Sequence, residues 1–139
     1  MFVTVIVGIL DLRSGEFIFC DGGHERPWVL RREGPPEWVE KRGGVALGFL
    51  ADAVYREEEP IHLADGEGLL IYTDGVSEAM NADNEAFTVA RLGEALVPLD
   101  HEASAREIVD QVMAEIGGFV AGCPQSDDIT LMALRWHRP

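Results

Sequence analysis

Apolar residues crowd the start of the chain. Phe2 to Leu10 reads Phe-Val-Thr-Val-Ile-Val-Gly-Ile-Leu, nearly all apolar and rich in β-branched side chains, which predicts a buried strand. Arg13-Ser14-Gly15 marks a turn, and Glu16 to Cys20 returns as the second arm of a hairpin. A third short strand is predicted over Trp28 to Arg32, stopped by Gly34-Pro35-Pro36, with Glu37 to Glu40 pairing back on it. Arg42 to Ala53 is Gly-rich around Leu47-Gly48-Phe49 and predicts irregular backbone. Val54 to Leu63 reads as extended, with a break at Pro60. Asp65-Gly66 then turns the chain into Leu69-Leu70-Ile71-Tyr72-Thr73-Asp74, a strand that ends at its aspartate.

Helical spacing takes over from there. A short helical segment is predicted over Val76 to Met80, before the polar loop Asn81 to Glu85. The next helix starts near Phe87-Thr88 and places Leu92, Ala95, Leu96 and Leu99 on one face. A further helix opens on a capping box, Ser104 with Glu107 three residues on. Its apolar face is Ile108, Val109, Val112, Met113 and Ile116, and Gly117-Gly118 is expected to end it. Asp128 to Trp136 is the last strand. Strands first and helices later give an α+β class: a largely antiparallel sheet with helices packed on one face, in one domain over 1–139.

Charge removes whole classes of partner. The chain carries 25 acidic against 11 basic residues, a net −14, which opposes binding to nucleic-acid backbone or to anionic lipid. No apolar run approaches the roughly 20 residues that span a bilayer, and the N-terminus lacks a basic region followed by a signal core. Two cysteines, Cys20 and Cys123, make no disulfide framework. A cytoplasmic setting is the expectation.

The candidate chemistry is a pair of aspartates. Asp74 closes one apolar strand, and Asp127, in Gln125-Ser126-Asp127-Asp128-Ile129-Thr130, opens another. If these strands are antiparallel neighbours, both carboxylates meet at one rim of the sheet. Carboxylates held together repel unless a proton or cation sits between them, and oxygen ligands suit Mg²⁺ or Mn²⁺. Asp128 follows directly, so alternation turns its side chain to the opposite face and leaves it a supporting role. Read without further context, an aspartate before glycine is a turn residue. His24 reads as a loop brace, and His62, His101 and His137 as surface residues. Asn81 to Glu85 lacks the glycine and terminal glutamate of a calcium loop.

In order, these segments resemble the SpoIIE-like branch of the PPM-type, metal-dependent Ser/Thr protein phosphatases. Phe2-Val3-Thr4 through Leu12 and Gly15 resembles the family's central hairpin. Gly23-His24 with Pro27 is similar to its Gly-His segment, and Leu47-Gly48 to its Pro-Leu-Gly segment. Tyr72-Thr73-Asp74-Gly75-Val76 with Glu78-Ala79 and Asn81 resembles its most recognisable motif, and Asp127-Asp128-Ile129-Thr130 its closing one.

The resemblance implies a sandwich fold and hydrolysis of phosphoserine or phosphothreonine by water activated between two Mn²⁺ or Mg²⁺ ions, without a phosphoenzyme. It assigns Asp74 and Asp127 to one ion. The family's earlier Asp-containing Gly-His-Gly motif, which bridges the ions, normally precedes the strand at Phe2. This chain is therefore expected to be the C-terminal portion of the catalytic domain, inactive alone. Asp21-Gly22-Gly23-His24 is similar to that motif only superficially. The implied substrate is a phosphorylated STAS-type anti-anti-sigma protein, with a sensory or receiver domain upstream and a homodimer possible through the open edge at Phe2. The rival reading is a non-catalytic phosphatase-like module that docks a regulatory partner.

Overall fold

The computed structural model describes residues 1–40 and 43–139; Arg42, where the Gly-rich stretch is expected to begin, lies outside the described residues. Two antiparallel sheets stack, and helices cover one of them. The first sheet has the order β1-β2-β5 and the second β4-β3-β6-β7. The strands are β1 (Val5–Leu10), β2 (Glu16–Gly22), β3 (Trp28–Leu30), β4 (Glu37–Trp38), β5 (Ile61–His62), β6 (Gly68–Tyr72) and β7 (Leu131–Arg135). Three helices, α1 (Asp74–Ser77), α2 (Thr88–Leu96) and α3 (Ala105–Val120), lie between β6 and β7 in sequence. The α+β class with antiparallel sheets is as expected. The division into two sheets follows from the break between the first hairpin and β3.

Alternation explains the layering. In β6, Leu70 and Tyr72 face the helices, where they join Trp28, Leu92, Ile108, Val112 and Ile116 in one core. Leu69 faces the other way and packs with Phe17, Phe19, Val29 and Trp136 between the sheets. All five residues of β6 are buried, as a strand with both faces covered requires. Phe17 and Phe19 stack at 5.5 Å, and Phe17 lies over Gly8, where a Cβ would collide with the ring. The indole of Trp136 donates to the Leu12 carbonyl at 2.9 Å and ties the chain's end to the first turn.

Three expectations need correction and one is narrowed. The opening strand is not buried: Ile6 and Leu10 pack inward, but Val7 and Ile9 are 61% and 77% exposed. Period-two geometry sends these to the outer face of β1, an edge strand that no described helix covers. The extended Val54 to Leu63 segment forms regular strand only at β5, after Pro60, with an isolated bridge at Glu57. Gly117-Gly118 does not end α3, which runs on to Val120 and stops at Ala121 in the left-handed region, φ 48°. Finally, β6 stops at Tyr72 and β7 starts at Leu131, so neither strand reaches its aspartate; Asp74 instead opens α1. The capping box at Ser104 and Glu107 is present, and Leu92, Ala95 and Leu96 are buried on α2.

Candidate metal centre

β6 and β7 are antiparallel neighbours, with Tyr72 opposite Leu131 as the last rung. Asp74 follows one strand and Asp127 precedes the other, so both stand beyond the same end of the ladder. Past that rung the two segments remain laced together. The Thr73 amide donates to the Thr130 carbonyl at 3.1 Å. The Thr73 hydroxyl accepts from the Thr130 amide at 3.0 Å and donates to the Asp128 carbonyl at 3.1 Å. Ser126 Oγ donates to the Glu78 carbonyl at 3.1 Å. Gly75 sits against the Asp128 backbone carbonyl, which a Cβ there would strike.

Both aspartates are exposed. Each uses one oxygen locally: Asp74 Oδ1 accepts from the Gly75 amide at 3.0 Å, and Asp127 Oδ1 from the Asp128 amide at 2.7 Å. Among the described residues, their Oδ2 atoms meet no protein donor. Hard, anionic oxygens facing solvent from adjoining segments fit Mg²⁺ or Mn²⁺ in kind. They fit one ion in number, with water completing its shell. Among the described residues no group of three His, Cys, Asp or Glu could hold a metal. Asp128 enters this arrangement through its carbonyl.

Asp21 serves a different purpose. It is 3% exposed on the inward face of β2, where Oδ1 accepts from the His24 amide at 2.9 Å and Oδ2 from the Gly44 amide at 2.6 Å. It fastens the turn after β2 to the Gly-rich segment. His24 itself approaches Thr4 Oγ1 through Nδ1 at 3.5 Å. Beneath the rim, burial and then the nearby Glu25 carboxylate push the Tyr72 phenol up to about 12, so it stays neutral. Sequence reasoning quoted Thr73, Gly75 and Ser126 within these segments but gave them no role of their own. Their signal was a hydroxyl and a glycine flanking Asp74, and a second hydroxyl beside Asp127.

Comparison with known proteins places this geometry. The family model for stage II sporulation protein E (SpoIIE) matches residues 1–137. Protein IcfG of Synechocystis is 32% identical over 134 residues, 96% of this chain and 20% of that protein. The phosphatase domain of the cell fate determinant SpoIIE from Bacillus subtilis, in a Mn-presoaked structure, superposes with a TM-score of 0.72 at 18% identity, over 98% of this chain and 57% of that one. The RsbU and RsbW domains of a Mycobacterium tuberculosis protein give 0.71 at 28% identity, over 98% and 36%. This chain thus spans about a fifth of IcfG and just over half of the solved SpoIIE domain. No described helix is long and apolar enough to cross a membrane. The whole-length family match and the shared sandwich establish that this chain belongs to the SpoIIE family and has the fold of a PPM (PP2C)-type phosphatase domain.

Proposed function

We propose that these residues form part of a Mn²⁺- or Mg²⁺-dependent Ser/Thr protein phosphatase, with Asp74 and Asp127 as ligands to one ion. The observation that carries this reading is the lacing of segments 73–78 and 126–130 in a member of the SpoIIE family, each segment carrying one exposed aspartate. A divalent ion bound there supplies Lewis acidity and an activated water for attack on a phosphoryl group. The chain's part is to bind and orient. Asp74 and Asp127 hold negative charge at the rim, their local amide bonds fix one oxygen each, and no Ser, Cys or His is needed as nucleophile. With two carboxylates at the site among the described residues, the 139 residues alone hold such an ion weakly, because Mg²⁺-like cations lean on further carboxylates or phosphate.

Resemblance to the family points to a phosphorylated STAS-type regulatory protein as substrate. The B. subtilis relative carries a regulatory domain beside its phosphatase domain, which supports an upstream sensory or receiver domain here. In the full-length protein, Asp74→Asn or Asp127→Asn should remove Mn²⁺-dependent phosphate release while the fold holds, since losing one charge also relieves carboxylate repulsion. Near-wild-type turnover at saturating Mn²⁺ in either variant would overturn the assignment. A second reading, a docking module without turnover, is favoured by the lack of any third ligand beside the pair among the described residues. It predicts partner binding with no phosphate release from the wild type.

A further inference from the structure

Asp127 sits where apolar packing cannot hold it. Residues 124–128 are all exposed, and the sheet ladder has already ended at Tyr72 and Leu131. What fixes this segment is hydrogen bonding, and two of the bonds that tie it and the residues after it to the end of β6 meet at one side chain. The Thr73 hydroxyl spends its single proton on the Asp128 carbonyl and a lone pair on the Thr130 amide. It thereby closes the backbone around Ile129 into a loop pinned to the residue before Asp74. Threonine is β-branched and stiff at χ1, so the pin is rigid. Gly75 on the other side of Asp74 lets the Asp128 carbonyl seat against α1.

We propose that Thr73 is a positioning residue that sets the spacing between the Asp74 and Asp127 carboxylates, and through it the affinity for a divalent ion. The inference rests on the metal reading above and adds to it. Residues that orient ligands contribute about 10- to 100-fold in metal affinity. Thr73→Val keeps the shape and removes both bonds; Thr73→Ser keeps the hydroxyl.

The test is Mn²⁺ binding to the full-length protein, followed by electron paramagnetic resonance of free Mn²⁺, beside amide exchange in the metal-free protein. Thr73→Val should weaken binding by about tenfold or more, and Thr73→Ser should restore most of it. In the wild type the Thr130 amide should exchange slowly, and Thr73→Val should free it. If Asp74→Asn and Asp127→Asn leave Mn²⁺ binding unchanged, the metal reading itself fails. If those two abolish binding while Thr73→Val binds like wild type, the positioning role fails alone. A wild-type Thr130 amide that exchanges like an open loop overturns the proposal even if Thr73→Val does not fold.

Discussion

Glu67 is a buried carboxylate whose removal should destabilise the fold. It lies 7% exposed just after the Asp65-Gly66 turn, where the chain enters β6. Oε2 accepts from Arg31 Nη1 at 2.9 Å and from the Ala64 amide at 3.0 Å, and Oε1 accepts from the Arg32 amide at 3.3 Å. Burial pushes the Glu67 carboxyl up, but the Ala64 amide, Arg31 and the Arg32 amide outweigh it and hold it below the usual range. Glu67→Gln preserves the shape and turns one acceptor into a donor facing donors. Hydrogen bonds to charged groups contribute about 1.5–3 kcal/mol each. Arg31 keeps Glu37 at 2.7 Å as a second partner, so the loss should be about 2 kcal/mol rather than the sum. The assay is urea unfolding of wild type and variant across pH. A carboxyl whose folded pKa is lowered stabilises the fold above its unfolded value of about 4.3. That contribution disappears as pH falls through the lower, folded value. The gap between the two proteins should therefore be constant from neutral pH down to about 5 and then narrow. A gap under about 0.5 kcal/mol at pH 7, the range of an ordinary surface change, or one that acid does not narrow, would refute the reasoning.

Four further outcomes follow from backbone and burial, each readable by thermal or urea unfolding. Thr88 holds φ 69° at the first residue of α2, a strained state for a β-branched side chain, so Thr88→Gly should stabilise by about 1 kcal/mol; destabilisation would mean that the bond from the Arg91 amide to its hydroxyl dominates. Gly117 and Gly118 lie inside α3, where an added Cβ meets open space, so each change to Ala should raise stability by about 0.5–1 kcal/mol. Lysine at Val7 or Ile9, both on the open face of β1, should shift stability by no more than about 0.5 kcal/mol. Phe19→Ala, at a residue 1% exposed, should cost about 3–5 kcal/mol, and similar losses at all three positions would contradict the layering.

The sequence made most of this fold legible because the strong signals are local. The hairpin turn at Gly15, the Pro-Gly stop after β3 and the Ser104 box each act within a few residues, and each is where spacing puts it. Errors arose where a neighbour decides. The run from Phe2 to Leu10 has the composition of a covered strand, but its exposure depends on what lies against its outer face, which periodicity does not encode. Gly117-Gly118 has the composition of a helix stop. Packing of Ile116 beneath and Phe119 against Phe87 at 5.4 Å carries the helix through, which is tertiary context overriding propensity.

The site divides along the same line. Asp74 and Asp127 stand out because each is a charge beside an apolar strand, and antiparallel pairing of β6 with β7 follows once both strands are recognised. The strands end two and four residues short of these aspartates, so the ladder alone does not hold the carboxylates in register. That work falls to Thr73, Gly75 and Ser126, whose residue types are ordinary and whose partners lie 48 to 57 positions away in sequence. A hydroxyl that bridges two backbone groups across such a gap has no periodic signature. Its role becomes visible only when the donor and both acceptor and amide are placed together. This also explains how two exposed aspartates beyond the ends of their strands are held: two hydroxyls and the bare Cα of Gly75 fix the peptide groups near them and leave the outer carboxylate oxygens facing water.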